Sequence, residues 1–150
     1  MPWQINGMGN QMRRGRIAAV VVLGIFSASG LVARAAAGLP ALYTVAQARA
    51  GAAVFSQNCA MCHGAALGGE AGPPLVGQRF ASAGSGETVG AMFDEIAGQM
   101  PAQAPGSLTH DQYAAVMAFI LAKNGYPAGP AALDYNATLG SSVPLVSQVQ

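Results

Sequence analysis

The sequence predicts an all-α domain, three main helices strung on loops. Three observations predict it. Apolar residues recur at helical spacing in three segments, two of which open on a capping-box pair. No segment alternates apolar and polar residues as a half-buried strand does. The intervening stretches are rich in Gly, Pro and Ser, the residues of turns, with 20 glycines and nine prolines in 150 residues.

The first helix is expected over 45–58, where Thr44 and Gln47 have capping-box spacing. Gly51, Ala52 and Phe55 fall near one face, and Gly51 lets another helix approach closely. The second is expected over 87–97. Val89, Met92, Phe93 and Ile96 form a buried stripe, and Gly98 is placed to stop it. The third is expected over 110–123. Thr109 and Gln112 repeat the capping box, and Leu108 and Tyr113 are spaced for a hydrophobic staple. Tyr113, Val116, Met117, Ile120 and Leu121 make its apolar face, and Asn124-Gly125 ends it. Residues 126–150 carry Pro127, Pro130 and Pro144 and read as an extended tail. Their last part, 134–150, lies beyond the domain proper.

The N-terminal 37 residues read as an export signal. Arg13, Arg14 and Arg16 form a basic cluster, an uncharged apolar stretch over 17–33 follows, and small residues take over at Ala35-Ala36-Ala37. Basic end, apolar stretch and small-residue cleavage site are the order of a secretory signal. The stretch is shorter than the roughly 20 residues a spanning helix needs; an uncleaved anchor is the alternative. The domain of 38–133 is therefore expected outside the cytoplasm. From residue 38 onward, Arg49, Arg79 and Lys123 stand against Glu70, Glu87, Asp94, Glu95, Asp111 and Asp134, a net charge of −3. The whole chain's net charge of +1 excludes nucleic-acid binding through a basic surface, and the sparse charge from residue 38 makes long-range steering of partners weak.

The chemistry lies in Cys59-Ala60-Met61-Cys62-His63, a C-x-x-C-H sequence, which is the attachment motif for c-type haem. Two thiols three positions apart can form thioethers with the vinyl groups on neighbouring pyrroles, and the histidine that follows falls beneath the iron. Other readings of two cysteines are a thiol-redox pair, a small disulfide in an exported protein and half a zinc site. The redox pair lacks its βαβ context, and zinc has only His110 as a second nitrogen ligand. A sixth iron ligand is sought among Met61, Met92, Met100 and Met117. Met61 is confined inside the attachment loop, and Met92 and Met117 belong to helical stripes. Met100, 37 residues after His63 and followed by Pro101, can wrap to the opposite haem face. His110 is the competing ligand.

With these residues in view, 43–133 resembles the class I, mitochondrial-type, cytochromes c. The resemblance rests on Gly51 and Phe55, on Cys59 to Gly64, on Gly72-Pro73-Pro74-Leu75, on Gln99-Met100-Pro101, and on the last helix through Leu121. It implies the cytochrome c fold, with the three helices and their loops wrapped around one covalently bound haem. It implies Cys59 and Cys62 as attachment sites, His63 and Met100 as iron ligands, and Pro73 as the carbonyl that orients His63. It also implies a crossing of first and last helices through Gly51 and Phe55.

The expected function is that of an exported, periplasmic one-electron carrier with no acid, base or nucleophile. Segments such as Asn124-Gly125-Tyr126-Pro127-Ala128-Gly129 are similar to bacterial cytochromes that accompany quinoprotein dehydrogenases. That similarity implies a periplasmic dehydrogenase as donor, and a terminal oxidase or another cytochrome as acceptor. Membrane association follows only if the N-terminal segment is retained. A fixed haem subunit of a larger dehydrogenase or oxidase complex, and a gas-binding or peroxidatic haem protein, are the competing classes.

Overall fold

The computed structural model describes residues 38–150, and the expected export signal lies outside the described residues. Five helices follow in order: α1 Val45–Asn58, α2 Ala60–His63, α3 Val89–Gln99, α4 His110–Lys123 and α5 Tyr135–Leu139. Among the described residues there is no strand, only isolated bridges at Tyr43–Ala128 and Thr88–Pro144. The all-α expectation holds.

The long helices begin where side chains can accept their first free N–H groups. Thr44 Oγ1 accepts from Gln47 N at 3.1 Å, and Thr88 Oγ1 accepts from Ala91 N at 3.1 Å. At α4 the box is complete: Gln112 N donates to Thr109 Oγ1 at 3.2 Å, and Thr109 N donates to Gln112 Oε1 at 2.8 Å. At α1 only half the box forms. The Gln47 carboxamide instead clasps Leu133, donating to its carbonyl at 2.9 Å and accepting from its N–H at 2.8 Å.

The second expected helix starts and ends two residues late. Thr88 sets its start, and Gly98 does not stop it. An added Cβ at Gly98 would meet nothing within 4 Å, and the helix runs on through Gln99. The stop comes from Pro101, whose ring bars the preceding Met100 from helical dihedrals; Met100 is extended, φ −114° and ψ 153°.

α1 and α4 cross at Gly51. A Cβ there would fall onto the Ala115 carbonyl, far inside contact distance, so only glycine fits the crossing. Phe55 and Phe119 meet one turn on, ring centroids 5.3 Å apart. α4 is the centre of the core. Beyond the expected stripe, Ala114, Ala115 and Ala118 are buried as well, as befits a helix covered on most sides.

The segment after 126 differs from a bare tail. Asp134 Oδ1 accepts from Ala137 N at 2.9 Å and starts α5. Tyr135 of α5 packs edge-on against Phe93 of α3, 5.2 Å between centroids. The chain then runs as a strap across the start of α3, whose Val89 and Gly90 N–H groups donate to the carbonyls of Val143 (2.8 Å) and Ser141 (3.1 Å). Leu145 is 1% exposed. The strap is fixed by Tyr126, whose hydroxyl donates to Pro144 O at 2.7 Å and accepts from Val146 N at 3.0 Å. Burial pushes the Tyr126 phenol up, opposed by its bond from Val146, and pushes Tyr43 up as well.

Asn124, just past α4, is wholly buried. Its amide donates to Leu75 O and Ile120 O, both at 2.9 Å, and its oxygen accepts from Gly77 N at 3.2 Å. Its own carbonyl accepts from Gln148 N at 2.9 Å. One side chain therefore ties the last long helix to the loop after Pro74, with every polar atom satisfied.

Candidate functional site

Cys59 ends α1 and donates its N–H to Phe55 O at 2.9 Å. The single turn of α2 then carries Cys62 and His63, with the Cys62 and His63 N–H groups donating back to Cys59 O at 3.1 and 3.0 Å. Three positions within one helical turn bring two side chains to the same side. Cys59, Cys62 and His63 all line one cleft of about 420 Å³, a volume in the range of cofactor pockets. The two cysteines are not joined to each other. Burial, and secondarily the neighbouring Cys62, pushes the Cys59 thiol up. Among the described residues no group of three or more His, Cys, Asp or Glu side chains is placed to hold a metal ion.

Behind α2 the chain folds into a tight loop that grips His63. Gly72 N donates to Cys62 O at 2.8 Å, Gly69 N to His63 O at 2.9 Å, and Leu75 N to Leu67 O at 2.8 Å. Leu67 anchors the loop, fully buried in a left-handed conformation with φ 59°. Gly72 passes so close to the imidazole that a Cβ would stand 3.0 Å from His63 Cε1. This brings the Pro73 carbonyl to 2.8 Å from His63 Nδ1. A carbonyl can only accept, so Nδ1 is the donor in this bond, and Nε2 is the ring nitrogen left over for a ligand. His63 is 8% exposed; its free nitrogen belongs to a side chain facing a largely apolar cleft.

Met100 and Pro101 line the same cleft. Met100 sits at the end of α3, its N–H donated to Ile96 O at 3.1 Å and its carbonyl accepting from the Tyr113 hydroxyl at 2.6 Å. The five site residues expected from sequence, Cys59, Cys62, His63, Pro73 and Met100, are thus brought to one place. Of the competitors, Met92 also lines the cleft, whereas Met61, Met117 and His110 do not. Met61 is 76% exposed, whereas Met117 is wholly buried and does not reach the cleft. His110 is exposed and stacks flat on Tyr135, 3.8 Å between centroids, away from the cleft.

The remaining walls are mostly apolar. Phe55 from α1, Leu75 and Phe80 from the loops, Ile96 from α3, and Val116 and Ile120 from α4 line them. The sequence did not place Met92, Arg79 or Glu95 on the cleft. Met92, expected in the core stripe, is half-buried and lines the cleft. Arg79 and Glu95 bring charge to it. The stripe of α3 could have exposed Met92, because it sits at the edge of that stripe rather than its middle. Nothing in the sequence marks Arg79. Two thiols on one side, an imidazole with a free nitrogen, a facing thioether and apolar walls are the donor set and surroundings that suit a covalently held haem.

The family described as cytochrome c oxidase, cbb3-type, subunit III matches residues 46–120, half of the chain, from the start of α1 to the last turn of α4. Among solved structures, the sulfane dehydrogenase SoxCD from Paracoccus pantotrophus is similar at 27% identity and a TM-score of 0.49. The match covers 69% of this chain and 53% of that one, so this chain spans about half the length of that relative. No curated protein matches it.

Proposed function

Because the chain belongs to the cytochrome c family described for subunit III of cbb3-type cytochrome c oxidase, and so carries haem c at Cys59 and Cys62, we propose that it is an exported one-electron carrier of the periplasm. It takes electrons from a dehydrogenase of the quinoprotein type and passes them to a terminal oxidase or another cytochrome. The reading is supported by a single arrangement: His63, with its proton fixed on Nδ1 by Pro73, and Met100 line one cleft.

When bound, haem supplies an iron that changes between the ferrous and ferric states by one electron. The protein's part is to hold, orient and enclose. His63 Nε2 is the proximal ligand in this reading, and the Pro73 carbonyl fixes the ring and raises its basicity. The Met100 thioether is the distal ligand and favours the ferrous state. Phe55, Phe80, Ile96, Val116 and Ile120 keep water away and disfavour the extra charge of the ferric state. Arg79 is the one cation among the lining residues, suited to the porphyrin's carboxylates. With His63 and Met100 both holding the group, the site would suit electron exchange rather than binding of oxygen or peroxide.

Two measurements test this. Met100→Ala in the haem-loaded protein should abolish the far-red methionine–ferric charge-transfer band and let the ferrous form bind carbon monoxide rapidly. An unchanged low-spin spectrum removes Met100 as ligand. Mixing the oxidised protein with a pyrroloquinoline-quinone dehydrogenase and its substrate should reduce it faster than an unrelated cytochrome. Equal rates remove that donor.

A fixed haem-bearing subunit of a larger dehydrogenase or oxidase complex is the second reading. The sparse charge from residue 38 onward favours it, since a permanent contact needs no electrostatic steering. Co-purification at constant stoichiometry distinguishes it from a diffusing carrier.

A further inference from the structure

We infer that Tyr113 is a positioning residue for the distal ligand: its hydroxyl, donated to the Met100 carbonyl at 2.6 Å, fixes the segment that holds the thioether against the cleft. The inference rests on Met100 being that ligand.

Three observations carry it. First, Met100 stands where helical support stops. Its N–H closes the last turn of α3 on Ile96 O, but the next residue is Pro101, which has no N–H to hold the chain onward. The Met100 carbonyl is among those a helix end leaves without an intrahelical partner. Tyr113 supplies that partner from α4, so the Met100 backbone is tied on one side to α3 and on the other to the most buried helix of the core.

Second, Tyr113 is only 2% exposed and does not line the cleft. It reaches the site through the Met100 backbone alone. Third, the phenol is itself braced. The Tyr135 ring of α5 lies 6.5 Å from the Tyr113 ring, and Tyr135 is held in turn by Phe93 at 5.2 Å and by His110 at 3.8 Å. The tyrosine is therefore a fixed post. With the hydroxyl removed, the Met100 carbonyl loses a partner in a half-buried setting, and the segment from Met100 gains freedom to swing out. A swung-out thioether leaves its position open to an external ligand, so affinity for that ligand reports how firmly the segment is held.

The test uses haem-loaded protein and imidazole as the probe, titrated into the ferric form and followed in the visible spectrum. Tyr113→Phe keeps the ring and removes one oxygen. It should bind imidazole about tenfold more tightly than the parent, since a buried hydrogen bond of this kind contributes on the order of a tenfold equilibrium shift, and its far-red band should weaken. Tyr126→Phe is the control. It makes the same chemical change at another buried tyrosine, whose hydroxyl serves Pro144 and Val146 and not the cleft. It should leave imidazole affinity at the parent value. Equal shifts in the two variants, or none in Tyr113→Phe, overturn the proposal. Met100→Ala separates the two levels: if it has lost the far-red band while Tyr113→Phe behaves as parent, the ligand stands and the positioning role falls. If Met100→Ala keeps the band, the ligand assignment falls and the positioning role with it. A measurement free of variants completes the set. In the ferrous protein the Tyr113 hydroxyl proton should be slow to exchange and show a through-space magnetic coupling to Met100, and a rapidly exchanging proton overturns the proposal.

Discussion

Exchanging both thiols, Cys59→Ala with Cys62→Ala, should leave a chain that takes no haem stain on a denaturing gel, against full staining of the parent. Loss of covalent attachment is complete because no other cysteine exists in the chain. The second part of the expected result concerns the fold. The cleft occupies about 420 Å³ between α1, α3 and α4, and its walls include Phe55, Phe80, Ile96, Val116 and Ile120. Each such side chain contributes about 1.5–3 kcal/mol only when its surface is removed from water. Without a tethered porphyrin those walls face solvent or collapse on one another. The double variant should therefore show lower helical content by circular dichroism and a broader denaturant transition than the parent. A variant that still bands with haem after boiling in detergent would falsify the attachment assignment.

Gly51→Ala is expected to destabilise the folded protein by about 3 kcal/mol or more, beyond ordinary overpacking of about 1–3 kcal/mol. The reason is backbone, not side chain. The added methyl would meet the Ala115 carbonyl, and behind it the Phe119 Cβ at 3.0 Å. No rotamer change relieves such a contact; α1 and α4 must move apart. Moving them opens the cleft too, because Phe55 of α1 and Val116 and Ile120 of α4 line it from the two sides. The melting temperature should fall by about 12 °C or more, with weakened protection of the haem from external ligands. Gly98→Ala is the matched control, at an exposed helical site with nothing within 4 Å. There the better helix former should stabilise by up to about 1 kcal/mol. Comparable losses at both glycines would show that helix propensity, not the crossing, governs Gly51.

What could be read from sequence divides along physical lines. α1 and α4 were placed to the residue, helped by threonine caps at both and by the Asn124-Gly125 stop after α4, which are local chemistry. The C-x-x-C-H sequence was legible because the spacing itself makes the geometry. The end of α3 was misplaced because Gly98 resembles a stop when read alone. Pro101 acts on the residue before it and decided the outcome. α2 is a single turn, too short for any period to show. α5 lay hidden among Pro127, Pro130 and Pro144, although Asp134 is a capping residue and no Gly or Pro follows until Gly140. The half-formed box at Thr44 was unreadable for a different reason. Gln47 is taken by Leu133, 86 positions away, and no local pattern reports a partner so remote. Met92 and Arg79 on the cleft are of the same kind, since their places depend on how loops and helices meet.

The buried carboxamide of Asn124 also governs how this protein ages. Asparagine followed by glycine is the pair most prone to lose ammonia, because the unhindered glycine nitrogen attacks the side-chain carbon. Here the Gly125 N–H is engaged with Ala122 O at 3.2 Å, and the carboxamide is held by three partners with no access for water. The native state is thus chemically inert at a sequence that the open chain exposes. Spoilage on storage proceeds through rare unfolded molecules and marks each with a new anion. That carboxylate would return to a niche walled by the carbonyls of Leu75 and Ile120, which penalises refolding of a damaged chain. Greater conformational stability is therefore expected to lengthen shelf life.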